Sequence, residues 1–514
     1  MTEKELTELV KAIGQVCGFK DKENGFFRDN KNAENGARYF GFISKGNNAE
    51  VDGVTGTENT ESGRYWDFSL VFFPEVDDVN KSNLKNNGEG TVSSFLVSLG
   101  VGSNGFAFDQ NLATRPGTRR HFLRLHTEEE KEKQFFKNDF TDITTNLVKD
   151  VKDVKPKIGS QYCSLLQAGQ YVDISSSNKE EEENEIINVI EKLEGYKDEK
   201  SKINKLNNHK LLTTICRWTA TYAKMRDWGT ASNKSVIEKL LPTSNKKNLS
   251  TDEIYNILEN NHFVVLQGAP GTGKTWSAND VANQHFNKDN DIVFFEQFHA
   301  ETTYSDFIYG IRPKLNSSTL DYEEKKGVLL EAIEKAETSS KVLLIIDEIN
   351  RANLSNVLGP VFYLFEKGSS NRKNKMKVGN MKLEKLPENL YVIATMNTAD
   401  RSLAVVDFAL RRRFTWLTLK PHEISVSGKI FMSKYFNEMA AIFEEYATDE
   451  ELNLQPGQSY YVVDKSNSDN EMKERLKYEL MPLIKEYLNE GYLARAKEVF
   501  CNYFYQTIGE LMYE

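Results

Sequence analysis

The chain is poor in cysteine: Cys17, Cys163, Cys216 and Cys501 are its only four in 514 residues, and no two form a C-x-x-C pair. That spacing argues against a zinc site and for a reducing compartment. The opening M-T-E-K-E-L-T-E-L has no basic n-region and no apolar h-region, so no signal peptide is expected. No apolar run approaches the length of a membrane span. Positive charge is also in deficit. The net charge is −10, which advertises no bulk polyanion-binding surface and leaves room only for a local basic face. Internal repeats and a low-complexity tail are missing. These absences describe a soluble, cytoplasmic protein that does not enter membranes. The length exceeds one ordinary core, and hydrophobic and aromatic contents of 39% and 11% support globular folding throughout.

What the chain does have is F-V-V-L-Q-G-A-P-G-T-G-K-T, from Phe263 to Thr275. An apolar strand pattern runs into Gly268, Ala269, Pro270, Gly271, Thr272 and Gly273, then into Lys274, Thr275 and Trp276 at the head of a helix-compatible segment. This is G-x-x-x-x-G-K-[ST] in a strand–loop–helix setting. Glycines let backbone N–H groups turn inward around a polyphosphate, at a helix N-terminus that already favours anions. Lys274 adds a point charge and the Thr275 hydroxyl can ligate magnesium. A glycine-rich turn that binds nothing is the alternative, and the flanking strand and Lys-Thr pair weigh against it.

Along the chain, residues 1–126 read as an α+β domain. Apolar residues at helical spacing in 2–17 precede short aromatic strands separated by Gly/Asn/Asp-rich turns. The segment Arg115–Leu125 holds Arg115, Arg119, Arg120 and Arg124. A solvated strand edge or an internal ion-pair set competes there with phosphate contact to nucleic acid. Residues 127–228 look mainly helical, and Trp218, Tyr222 and Trp228 suit core packing better than base stacking. Residues 229–249 read as the linker. From Ser250, a capping-box residue with Glu253 three positions on, strands and helices alternate, which means a parallel sheet covered by helices. Residues 250–420 form this α/β part and 421–514 a small helical lid. A ligand belongs at the C-terminal ends of the strands.

There the polar residues gather. Val342–Glu348 is an apolar strand tipped by Asp347, expected to orient magnesium through water, and Glu348, expected to polarise an attacking water. Asn397, ending the strand Leu390–Thr395, can hold that water. Leu410–Phe414, L-R-R-R-F, offers Arg412 and Arg413 to a neighbouring subunit's nucleotide, with a helix cap or a surface ion pair as the alternative. Phosphoryl transfer needs mainly positioning and charge neutralisation, which this set provides.

This arrangement resembles the AAA+ P-loop ring NTPases. Met396–Phe414, Phe298–Pro313, Asp347–Asn353 and Gly457–Tyr461 resemble the signatures of the McrB family, the motor subunit of modification-dependent restriction systems. The resemblance spans about residues 250–514. It places Asn397, Asp400 and Arg401 on the signature positions and Arg412 and Arg413 on the arginine-finger region. One position departs: Gln458 stands where the family often has His. The resemblance implies GTP hydrolysis, with ATP the other candidate, and Mg2+. It further implies a homo-oligomeric ring, expected to be a hexamer, DNA recognition through the N-terminal region, and a separate McrC-type nuclease in defence against foreign DNA. No nuclease site is visible in this chain; Asp198-Glu199-Lys200 follow no apolar strand. The rival is a MoxR-like AAA+ ATPase that remodels a protein partner, which the acidic net charge favours slightly.

Overall fold

The computed structural model describes residues 1–19, 26–30, 39–43, 68–76, 90–101, 112–136, 166–174, 209–226, 231–241, 249–313, 321–366, 376–378, 381–383, 385–399, 408–465 and 468–513. They divide into two compact units, Met1–Asn245 and Lys246–Glu514. Among the described residues no helix is long and apolar enough to cross a membrane.

The first unit opens with the helix Glu3–Val16. Thr2 and Glu5 form a reciprocal capping box, with Thr2 N–H donating to Glu5 Oε2 at 2.8 Å and Glu5 N–H to Thr2 Oγ1 at 3.2 Å. Such a cap is worth about 1 kcal/mol. Leu6, Leu9, Val10, Ile13 and Val16 are buried by that helix. The sheet beneath has strands β1 (Phe26–Asn30), β2 (Tyr39–Ile43), β3 (Ser69–Val76), β4 (Val92–Gly100), β5 (Gln134–Phe136) and β6 (Leu166–Asp173). Their order is β1-β2-β3-β4-β6-β5, and every neighbouring pair is antiparallel. Helix and sheet touch closely at Gly14, where a Cβ would lie 2.2 Å from the Phe42 ring.

Three expectations change here. Residues 127–228 are not simply helical, because β5 and β6 join the sheet. Small residues disguise β6: Ala168 and Gly169 leave room for Phe135, whose ring would meet a Cβ at Gly169 at 2.4 Å. The arginine-rich segment is a helix, Pro116–Leu123, with proline in its first turn, rather than a strand edge. The expected linker contains a helix, Ala231–Leu240, whose Ile237 and Leu240 are buried in the same core. Trp218 and Tyr222 are core residues of the helix His209–Met225. Trp218 Nε1–H donates to Gln170 Oε1 at 2.9 Å and Tyr222 O–H to the Phe68 carbonyl at 2.9 Å. The same core encloses Cys17, whose thiol burial pushes up to about 12. Asp198-Glu199-Lys200, Cys163 and Trp228 lie outside the described residues.

The second unit is built on a parallel sheet. Its capping-box helix, Thr251–Asn261, starts as Ser250 and Glu253 predict. The strands follow as β7 (Phe263–Gly268), β8 (Ile292–Gln297), a hairpin β9 (Tyr309–Pro313) and β10 (Tyr322–Lys326), β11 (Val342–Asp347), a hairpin β12 (Met376–Val378) and β13 (Met381–Leu383), β14 (Leu390–Asn397) and β15 (Thr415–Thr418). The main sheet has the order β15-β7-β14-β11-β8, all parallel. Alternate residues of β11 enter opposite cores: Val342, Leu344 and Ile346 on one face, Leu343 and Ile345 on the other. That double burial is why the central strands read as unbroken apolar runs. Strand β8 is the exception. It lies at the edge, with Val293 and Phe295 41% and 49% exposed, so it is not the fully buried strand its composition suggests. The lid has a third core around Phe436, Phe443, Tyr461, Ile484 and Phe500, with the small hairpin β16 (Lys429–Phe431) and β17 (Val462–Asp464).

Candidate functional site

Strand β7 ends in the glycine-rich loop, and the helix Lys274–His285 begins at its far side. Gly271 and Gly273 take φ values of +78° and +82°, which side chains disfavour, so these two glycines are required by the backbone. Lys274 is buried, and its Nζ donates to the carbonyls of Gly268 and Ala269 at 3.0 and 2.9 Å. The ammonium is thereby held over the loop. Thr272 folds its hydroxyl back onto the Ala269 carbonyl at 2.9 Å.

The sheet order sets the rest. Strand β14 separates β7 from β11, and the register pairs Asn397 with Gly268. Asp347 ends β11 and is buried; its Oδ1 accepts from Thr275 Oγ1 at 2.7 Å and from Thr395 Oγ1 at 2.7 Å. Thr395 Oγ1 accepts in turn from the Glu348 N–H at 3.0 Å. Thr395 is a functional candidate that the sequence hides, since a threonine in an apolar strand carries no signal of its own. A threonine hydroxyl and a carboxylate at hydrogen-bond distance form a hard-oxygen pair that suits magnesium, which completes its shell with water and phosphate oxygens.

Glu348 has φ +53°, a left-handed conformation that costs a residue with a side chain about 1–3 kcal/mol. Arg351 Nε lies 3.6 Å from Glu348 Oε2. Asn397 is held by both ends: its carbonyl accepts from Asn350 Nδ2 at 3.4 Å and its Oδ1 from the Ala399 N–H at 3.3 Å. Asp400 and Arg401 lie outside the described residues.

The arginine pair is divided by the structure. Arg413 is 8% exposed, Arg412 66%, and both donate to Glu366 Oε1, at 2.7 and 2.9 Å. The Arg413 guanidinium also lies 5.7 Å from the centre of the Phe362 ring. Both arginines expected to reach a neighbour thus meet the same Glu366 carboxylate, Arg413 from a buried position and Arg412 from a solvent-exposed one. The carboxylate responsible is 46 and 47 positions away, out of reach of any local pattern.

Beside the loop opens a cavity of about 890 Å3, lined by Gly271–Gly273, Trp276, Ile254, Leu419, Val426 and Gln458 among others. Trp276 is 68% exposed, an unusual setting for so large an apolar ring. Arg475, which no motif marks, also lines this cavity and donates to the Ser459 carbonyl at 3.2 Å.

Part of the chain is similar to known proteins. Residues 263–414 match the family described as AAA domain (dynein-related subfamily). The chain is 34% identical over 248 residues to the type IV methyl-directed restriction enzyme EcoKMcrB subunit of Escherichia coli (strain K12), which is 44% of this chain and 53% of the relative. It is 29% identical over 204 residues to the type II restriction enzyme BsuMI component YdiS of Bacillus subtilis (strain 168), 32% of this chain and 59% of the relative. The chain therefore resembles an McrB subunit over a segment and spans little more than half the length of these relatives. The AAA match covers the glycine-rich loop and supports nucleotide binding by this part of the chain.

Proposed function

We propose that this chain is an McrB-like AAA+ motor that binds and hydrolyses GTP with Mg2+ and assembles into a ring. In this reading residues 250–420 are the large nucleotide-binding subdomain, 421–514 the lid, and the unit Met1–Asn245 recognises DNA. Hydrolysis drives a separate McrC-type nuclease. The observation that carries the hydrolase part is the 2.7 Å contact between Thr275 Oγ1, at the loop, and Asp347 Oδ1, at the tip of a strand not adjacent to it.

The residues divide the work as follows. Backbone N–H groups of the loop and the Lys274 ammonium hold the phosphates. Thr275 and Asp347 would hold magnesium, which neutralises charge on the transferred phosphoryl group. Glu348 orients and polarises the attacking water, with Asn397 beside it on the next strand. Asp400 and Arg401 belong to the same signature segment. Arg412 reaches the neighbouring subunit's terminal phosphate, while Arg413 and Glu366 fix its base. The cavity beside Trp276 receives the purine.

GTP rests on the resemblance, and DNA recognition on the restriction-enzyme relatives together with the arginines on and beside the helix Pro116–Leu123. Unlabelled GTP should displace a labelled analogue at lower concentration than ATP; equal potency would remove the GTP assignment. The full chain should bind DNA in a filter assay, with affinity falling as salt rises. No binding to either methylated or unmodified DNA would favour the MoxR-like alternative.

A further inference from the structure

The lid segment Gly457–Ser459 touches the phosphate loop in a regular way. Gly457 N–H donates to the Pro270 carbonyl at 2.8 Å and Ser459 N–H to the Gly271 carbonyl at 3.1 Å. Between them the Gln458 side chain donates through Nε2 to the Thr272 carbonyl at 2.8 Å. Consecutive loop carbonyls are thus each capped by one of consecutive lid residues. The contact is too close for larger side chains. A Cβ at Gly457 would lie 2.0 Å from the Gly271 carbonyl carbon, and a Cβ at Gly271 would lie 2.5 Å from Ser459 Oγ.

Across a trans peptide, the carbonyl of one residue and the N–H of the next point in opposite directions. Turning the carbonyls of Pro270 and Thr272 toward the lid therefore turns the N–H groups of Gly271 and Gly273 away from it. Thr272 N–H makes a long turn bond, 3.4 Å, to the Ala269 carbonyl. A second tie joins the lid to the same strand ends: Thr398 donates its N–H to the Gly268 carbonyl at 3.1 Å and its hydroxyl to the Asn453 carbonyl at 2.8 Å. Gln458 is 6% exposed and faces a carbonyl, which only accepts, so its amide orientation is fixed with nitrogen toward Thr272.

We infer that Gly457–Ser459 is a positioning clamp for the phosphate loop, with Gln458 its key side chain, so that the lid sets the loop's N–H groups and moves with the loop when triphosphate binds. Gln458 does not touch the reacting atoms; it acts through Thr272. The inference rests on the proposed function only in placing a triphosphate in the loop.

The test uses the full chain with Mg2+ and GTP or its non-hydrolysable analogue. Gln458→Glu replaces the donor by an acceptor, and should raise KM about tenfold or more while kcat stays within about threefold, since a buried carbonyl loses its partner. Gln458→His retains a ring N–H and should bring KM back to within about threefold of the parent. A merely structural residue would lower the melting temperature and the active fraction, leaving KM alone. Should Gln458→Glu not fold, hydrogen exchange on the parent chain decides. Nucleotide should slow exchange in residues 457–461 together with 270–275. Protection of the loop without the lid, an unchanged KM in folded Gln458→Glu, or no rescue by His overturns the clamp and leaves the hydrolase reading intact. Protection of neither segment overturns both.

Discussion

The two units handle buried polar groups in opposite ways. In Met1–Asn245 several buried or half-buried polar side chains pair with one another or with backbone inside the core. Trp218 meets Gln170, Tyr222 meets the Phe68 carbonyl, and Glu75 accepts from Ser94 and Tyr171 at 2.6 and 2.9 Å. These bonds are scattered through an antiparallel sheet and its helices, and they satisfy one another. In Lys246–Glu514 the polar groups collect at one edge of a parallel sheet, where Gly268, Asp347 and Asn397 end neighbouring or near-neighbouring strands. A parallel sheet puts all its strand ends of one kind on one side, so it gathers side chains into a site as a consequence of its topology. Among the described residues, the first unit's antiparallel order alternates strand directions and so splits its strand ends between both sides.

The sharpest break of this contrast is Lys274→Ala. It removes the cation fixed over the loop, and calorimetry should show nucleotide binding lost altogether. Near-normal affinity would mean that the parallel edge is not the binding site.

The next largest effect separates the arginines. Arg412→Ala should retain nucleotide binding and lose about a thousandfold in turnover, the scale of an arginine acting on a neighbour's phosphate. Mixed with Lys274→Ala, which has a dead site and an intact Arg412, it should regain hydrolysis. Arg413→Ala leaves Glu366 with a weaker hold, and should lower the melting temperature as well as turnover. If Arg413→Ala is the variant rescued by mixing and Arg412→Ala is not, the exposure argument is wrong.

The smallest effect lies in the other unit. Trp218→Phe keeps an aromatic side chain but deletes the bond to Gln170 and part of the buried volume, and should destabilise by about 1–3 kcal/mol in denaturant titration. Nucleotide turnover should be unchanged. A loss of turnover would show that the first unit contributes to the site after all.

How much could be read beforehand follows the same division. The phosphate loop was legible because its backbone demands glycine at φ +78° and +82° and the chemistry demands Lys274 and Thr275. Strands β7, β11 and β14 were legible because burial on both faces leaves long apolar runs. Strand β6 was not, since its Ala168 and Gly169 make room for Phe135 and weaken the strand signal. Thr395 was hidden by suiting a strand as well as a hydrogen bond to Asp347. The Gln458 contact with Thr272 joins residues 186 positions apart, and the arginines' partner Glu366 is similarly remote. Such pairings are created by the tertiary fold and leave no local trace.

In the proposed mechanism Glu348 activates water for hydrolysis of a nucleotide held by the loop. Steady-state phosphate release by the full chain and by Glu348→Gln, with calorimetric binding measured alongside, tests it directly. The parent should release phosphate only with Mg2+, and the variant should bind nucleotide normally while releasing phosphate at least about a hundredfold more slowly. Equal rates for the two proteins would contradict the assignment.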